Sequence, residues 1–182
     1  MITKKYLHIV FIISLSIVIG GCGGHTQVKP SPYQLEVYFS PEEHTQDRII
    51  KEIDASISTI DLAIYSFTAQ EIKSAFERAK QRGVKIRIIA DSMQAKGVHS
   101  VVQMLIDEGF DVKIARGKSR GIMHNKFAIF DKKLLFMGSY NWTKNAEHFN
   151  YENAIFISNP LTIKQYQEEF DKIWDSTQSL PK

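Results

Sequence analysis

Between Leu35 and Trp174 short apolar runs alternate with amphipathic stretches, and this switching between two periods limits the folds open to the chain. Leu35 to Phe39, Ile60 to Phe67, Val84 to Ala90 and Phe110 to Ala115 have strand length and are rich in β-branched and aromatic residues. Between them the period becomes helical. Ile49, Ile50, Ile53 and Ile57 fall on one face, and Ile72, Ala75, Phe76 and Ala79 on another. Ser40-Pro41-Glu42-Glu43 and Thr68-Ala69-Gln70-Glu71 read as capping boxes opening those helices, and Gly83 as the end of the second. A helix is expected over residues 97 to 108, closed by Gly109. Met123 to Phe130 and Leu134 to Met137 read as two strands joined by an Asp131-Lys132-Lys133 turn, with a late strand from Glu152 to Ser158. Asn159-Pro160 opens a last helix striped by Ile163, Tyr166, Phe170, Ile173 and Trp174. The alternation predicts one α/β domain, a mixed and mostly parallel sheet flanked by helices on both faces. No internal repeat is present.

A chain of 182 residues suits one domain with one sizeable core. We expect that domain to occupy residues 35–182. Residues 22–34, rich in Gly and Pro, read as a tether. Residues 1–21 read as a secretory leader. Lys4 and Lys5 precede a charge-free run from Tyr6 to Ile19, shorter than the about 20 residues that span a bilayer. Val18-Ile19-Gly20-Gly21-Cys22 resembles a bacterial lipobox, which makes Cys22, the sole cysteine, the expected lipid anchor. The implied location is the periplasmic side of a cell envelope, through that lipid or through an uncleaved leader.

Charge says little as a total and more as a pattern. The formal balance is +3, and without Lys4 and Lys5 the 23 basic residues become 21 against 20 acidic ones. Overall charge therefore gives no argument for a polyanionic partner. Locally, residues 113 to 133 hold Lys113, Arg116, Lys118, Arg120, Lys126, Lys132 and Lys133 against the single acid Asp131. Such a cluster suits a phosphate-bearing substrate, although by itself it reads as a solvated loop.

The same stretch carries His124, Lys126, Asp131, Gly138, Ser139 and Asn141, in the order H-x-K-x4-D-x6-G-S-x-N. Six fixed positions arise by chance in a chain this long on the order of once in a hundred thousand to a million. Each residue alone has an ordinary reading: a structural histidine, a turn after glycine, a hairpin acid. Together they provide a nucleophile and the groups to steady an anion. Imidazole is partly unprotonated near neutral pH and attacks phosphorus. Lys126, two residues on, neutralises a non-bridging oxygen, and Ser139 and Asn141 donate hydrogen bonds to the same phosphate.

This pattern resembles the HKD motif of the phospholipase D superfamily. The resemblance extends from about residue 36 to 175. Tyr65-Ser66-Phe67-Thr68, Asn141 to Glu147 and Asn150-Tyr151-Glu152-Asn153 are similar to segments of that superfamily's single-motif endonucleases. It implies the phospholipase D/nuclease fold and cleavage of a phosphodiester through a phosphohistidine, without cofactor or metal. It also implies Glu152 as the carboxylate that orients His124. Asp131, counted with the catalytic set as a member of the motif, is expected to hold the loop near the site through hydrogen bonds without touching the scissile phosphate. The route needs a second imidazole as acid and base. With one motif per chain, a homodimer sharing one cleft is expected. Nucleic acid, single strands favoured, is the first expected substrate. Its contacts would include Ser66, Arg116, Lys118, Arg120, Lys144 and Phe149, with Tyr65, Phe67, Tyr140 and Trp142 as further candidates for stacking on bases. Membrane phospholipid is the alternative substrate, and a nucleic-acid-binding module without catalysis the alternative class.

Overall fold

The computed structural model describes residues 32–177; the expected leader, Cys22 and most of the tether lie outside them. Seven strands form one sheet: β1 (Leu35–Ser40), β2 (Thr59–Ile64), β3 (Lys85–Asp91), β4 (Asp111–Ala115), β5 (Lys126–Phe130), β6 (Leu134–Gly138) and β7 (Glu152–Ile157). Their order across the sheet is β1-β7-β6-β5-β2-β3-β4. The helices are α1 (Thr45–Ala55), α2 (Gln70–Gln81), α3 (Val102–Asp107), α4 (Lys144–His148) and α5 (Pro160–Ser176), with a 3₁₀ turn at Gln94–Lys96.

The sheet is mixed, as expected, but its balance is not. Only β2–β3 and β3–β4 are parallel; β2–β5, β5–β6, β6–β7 and β1–β7 are antiparallel. Parallel neighbours need a crossover, and helices α2 and α3 supply it only between β2, β3 and β4. The segment from Arg116 to Asn125 has no helix, and β5 enters the sheet from the other direction.

Helices cover both faces. On one, Ile49 and Ile53 of α1, Ile72, Phe76 and Ala79 of α2 and Leu105 of α3 pack with Leu62, Ile88 and Phe136 of the sheet. Burying an isoleucine or phenylalanine there contributes about 1.5–3 kcal/mol. On the other face, Ile163, Phe170 and Trp174 of α5 pack on Ile89, Phe127, Ile129 and Leu135. Arg87 fixes α5 to the sheet. It pairs bidentately with buried Asp61 at 2.7 Å, meets Asp171 at 2.8 Å, and lies over the Phe170 and Trp174 rings. Asn159 caps α5 as expected, accepting from the Leu161 and Thr162 amides.

Several expected local features are replaced by longer-range ones. The Ser40–Glu43 box does not form. Glu43 accepts instead from the Phe39 amide at 2.6 Å, and α1 begins later, at Thr45. Its first turn is capped from across the chain by Glu147, which accepts from the Gln46 amide at 3.0 Å. The Thr68 box fails too, because the Thr68 and Ala69 amides both donate to the Trp142 carbonyl. Ile57 lies beyond the end of α1 and is 78% exposed, so the apolar face is Ile49 and Ile53 with Ile50 at its edge. Residues 97–101 form an open loop, and the expected helix shortens to α3.

Candidate active site

His124 lies two residues before β5, and Lys126 begins it. Beside them, β6 ends in Gly138 and β7 begins at Glu152, the same end of the sheet at which parallel strands β2 to β4 finish. Sheets of this kind place ligands at such carboxyl ends.

Gly138 fits where no other residue does. A Cβ there would sit 2.1 Å from the Asn153 carbonyl oxygen, so the close approach of β6 and β7 requires glycine. That approach lets the Ser139 amide reach the Asn153 carbonyl at 3.1 Å and turns the chain from Ser139 to Asn141 across the end of the sheet. Ser139 Oγ donates to Glu152 and accepts from the Asn153 amide. Asn141 Oδ1 accepts from the Ser66 amide at 3.2 Å, which leaves its amide nitrogen as the donor for a bound oxyanion.

Lys126 is 7% exposed. Its Nζ donates to the His124 carbonyl at 2.7 Å and lies 4.9 Å from the centre of the Tyr65 ring. Burial lowers its pKa, and the nearby Glu152 charge pulls weakly the other way. The same Tyr65 ring meets the His124 ring edge-on, centres 4.6 Å apart. The His124 side chain itself is exposed.

His124, Lys126, Gly138, Ser139, Asn141 and Glu152 line one depression of about 460 Å³. Five of the six expected catalytic residues therefore converge. Asp131 does not. It turns the β5–β6 hairpin at the opposite end of β5, roughly 16 Å along the strand. Its carboxylate accepts from the amides of Ile57, Ser58 and Thr59 and from the Ser58 hydroxyl, so it fastens the α1–β2 loop rather than a loop near the site. Burial pushes this carboxyl up, but the four hydrogen bonds outweigh it and hold its pKa below the ordinary value. Glu152 also differs from expectation: its partners are Ser139 and Asn150, with no imidazole among them.

Two further hollows adjoin the depression. One shares His124 with it and includes Arg116, Lys118 and Asn125. The other shares Asn141 and includes Tyr65, Ser66, Lys144 and His99. Together they form a continuous trough across the sheet end, basic on the Arg116 side and amide-rich on the other. Arg120 and Phe149 are exposed but line none of the three. The expected basic cluster is divided. Lys113 donates to the Trp174 carbonyl, and Lys132 and Lys133 sit with Asp131 at the far end. Phe67, Tyr140 and Trp142 are fully buried core, which removes them as stacking platforms and leaves Tyr65 and Phe149. Among the described residues no group of three or more His, Cys, Asp or Glu side chains could hold a metal ion.

Two residues with no role assigned from the sequence support the site. Glu147, 5% exposed, accepts from the Tyr140 hydroxyl at 2.6 Å while capping α1, and so joins the motif's last turn to a helix. Asp91 ends β3 and is fully buried. Its only signal in the sequence is an acid placed where an apolar strand gives way to a turn.

Residues 49–174 match the family described as "Cardiolipin synthase, PLD-like domain". The chain is 34% identical over 137 residues to the mitochondrial cardiolipin hydrolase of Chlamydomonas reinhardtii, covering 75% of this chain and 60% of that protein. It thus spans less than two thirds of the length of that curated relative. The fold is similar to that of NucT from Helicobacter pylori, with a TM-score of 0.75 and 29% identity over 81% of this chain and 99% of that one. It is equally similar to Nuc, a phospholipase D family member from Salmonella typhimurium, with a TM-score of 0.75 and 30% identity over 82% and 99% of the two chains.

Proposed function

The chain belongs to the phospholipase D-like family, and from that premise we propose that it is a phosphodiesterase acting on nucleic acid, with single strands favoured. One observation carries the reading: His124, Lys126, Ser139 and Asn141 meet in one depression whose flank is basic with Arg116 and Lys118. In the proposed reaction an imidazole nitrogen of His124 attacks phosphorus, a P–N bond forms and the P–O bond to the leaving alcohol breaks. A second imidazole gives its proton to that oxygen. It then takes a proton from water, which attacks phosphorus, breaks the P–N bond and frees the phosphomonoester. Lys126 holds the non-bridging oxygens, and the Asn141 amide, joined by the Ser139 hydroxyl once it turns from Glu152, steadies the charge that builds there.

One chain brings one imidazole to the depression itself, with His99 set in the adjoining hollow, so we assign the second to another copy. An uncovered apolar face supports this assignment. Leu35, Val37 and Phe39 of edge strand β1 are 63%, 46% and 56% exposed. They are in register with Ile157, Ile155 and Asn153 of β7, on the α5 side of the sheet, and none of the three belongs to the cluster packed under α5. Strand β1 itself reaches the site end of the sheet, since its last residue, Ser40, is opposite Glu152.

Phospholipid is the second reading. It is favoured by the name of the curated relatives, cardiolipin hydrolase, and by exposed Ile122, Phe149 and Tyr151 near the trough. The deciding experiment offers the protein labelled single-stranded DNA, duplex DNA, RNA, and cardiolipin or phosphatidylcholine vesicles, all in EDTA, beside a His124→Ala control. We expect nucleic-acid cleavage that falls by at least about a thousandfold in the control. Lipid turnover with intact nucleic acid would transfer the assignment to the lipid reading. Loss of all activity in EDTA would overturn the mechanism.

A further inference from the structure

The histidine that must meet phosphorus lies on a segment without regular secondary structure, which raises the question of what holds it. Residues 121–125 belong to no strand or helix. On the downstream side the chain is fixed at Lys126, which pairs with Ile64 of β2. On the upstream side it is fixed at Met123, whose amide donates to Asp91 Oδ2 at 3.0 Å. His124 therefore sits in a two-residue span between two backbone anchors, and one of them is a side chain from another strand.

The other oxygen of Asp91 is also engaged. Oδ1 accepts from the Met93 amide at 2.9 Å and the Gln94 amide at 3.1 Å, and so forms the 3₁₀ turn that follows β3. From that turn the Gln94 side chain donates to the Tyr65 hydroxyl at 3.2 Å. The Tyr65 ring in turn contacts the His124 ring and lies beneath Lys126 Nζ. Two routes thus run from one fully buried carboxylate to the same imidazole, through the backbone at Met123 and through the ring of Tyr65. A turn-capping acid would need only the Oδ1 bonds; the Met123 bond ties in a segment more than thirty residues away.

We infer that Asp91 and Gln94 form a clamp that positions His124 for attack on phosphorus, Asp91 being a positioning residue and not a catalytic one. Three amides donate to the two carboxylate oxygens. An asparagine has one acceptor oxygen, so its NH2 group must face at least one of those donors, and a buried donor facing a donor parts. If the pair that parts is Met123, the imidazole drifts, and an ångström of drift costs on the order of a hundredfold in rate.

The test has one arm that needs no substrate. The imidazole C2 proton of His124, assigned with His124→Ala, carries the ring current of Tyr65. In Asp91→Asn that resonance is expected to shift or broaden while those of His44 and His148 hold. The second arm rests on the phosphodiesterase reading: kcat is expected to fall by about tenfold to a hundredfold with KM within about twofold. Gln94→Ala, on the surface side of the clamp, is expected to move the same resonance by less and to lower kcat by a few-fold without a change in thermal midpoint. If Asp91→Asn does not fold, Gln94→Ala decides alone. A folded Asp91→Asn with a lower midpoint but unchanged His124 resonance and kcat would reduce Asp91 to a turn cap and overturn the proposal. So would an unmoved resonance in both variants. A shifted resonance in a protein that cleaves none of the substrates offered would uphold the clamp and leave the failure with the phosphodiesterase reading.

Discussion

At Lys126 the needs of the site and of the fold oppose each other. A cation is wanted beside a phosphate, yet the side chain lies against the Tyr65 ring with little water, and burial lowers its pKa from the ordinary 10.5. The folded chain therefore holds this proton less tightly than the unfolded chain does. Between the lowered value and 10.5 the unfolded state binds more protons, so the lysine's contribution to stability rises with pH across that window. Activity runs the other way, because the phosphate needs the charged form. We expect kcat/KM to decline on the alkaline side at a pH below 10.5 and the limb to move upward in Lys126→Arg, whose guanidinium stays charged. A flat alkaline profile in the wild type would show that the Lys126 charge is not required. Lys126→Met should lose activity at every pH.

The elements show which parts of the molecule were written locally. The buried runs in β2, β3 and β5 were legible because a strand covered on both faces is apolar throughout, and the α5 stripe was legible because its Asn159 cap is local. The openings of α1 and α2 were misread for one physical reason: their partners come from far along the chain, Glu147 for an amide in the first turn of α1 and the Trp142 carbonyl for the two amides just before α2. Strand direction was misread because alternation tells length and burial but not which way β5 enters. In the site, His124, Lys126, Ser139 and Asn141 stood out because one short spacing holds them. Asp91 did not, since its bond to Met123 exists only in three dimensions. Asp131 shows the reverse. It belongs to the spacing but serves the α1–β2 loop, and this gives a separable prediction. Its folded pKa lies below 3.8, so its stabilisation is present above that value and is lost as pH falls through the folded pKa. Asp131→Asn is expected to lower stability at neutral pH by about 1–3 kcal/mol, with the difference from wild type shrinking in acid and kcat retained at a temperature where both are folded. Urea melts at neutral and acid pH, beside a rate measurement, check it; a kcat lost along with the stability would return Asp131 to the site.

For the whole molecule, the count of imidazoles and the uncovered face make one argument. A step that protonates a leaving oxygen needs an acid while His124 is occupied by phosphorus, and none of the other five residues lining the depression is a second histidine. The β1–β7 face beside that depression exposes Leu35, Val37 and Phe39 on an edge strand, where lone chains more often carry charge. If two chains close on that face to make one shared site, activity depends on both histidines at once. Wild type and His124→Ala, unfolded together in equal amounts and refolded, should then show about a quarter of the activity of the same total amount of wild type, against about half if each chain works alone. Val37→Asp should abolish activity and sediment as a monomer while its melting profile stays cooperative, because that side chain lies outside the core clusters. Activity proportional to the wild-type fraction, or an active Val37→Asp monomer, would mean that a single chain carries its own acid, and the partner assigned to His124 would have to be sought within it.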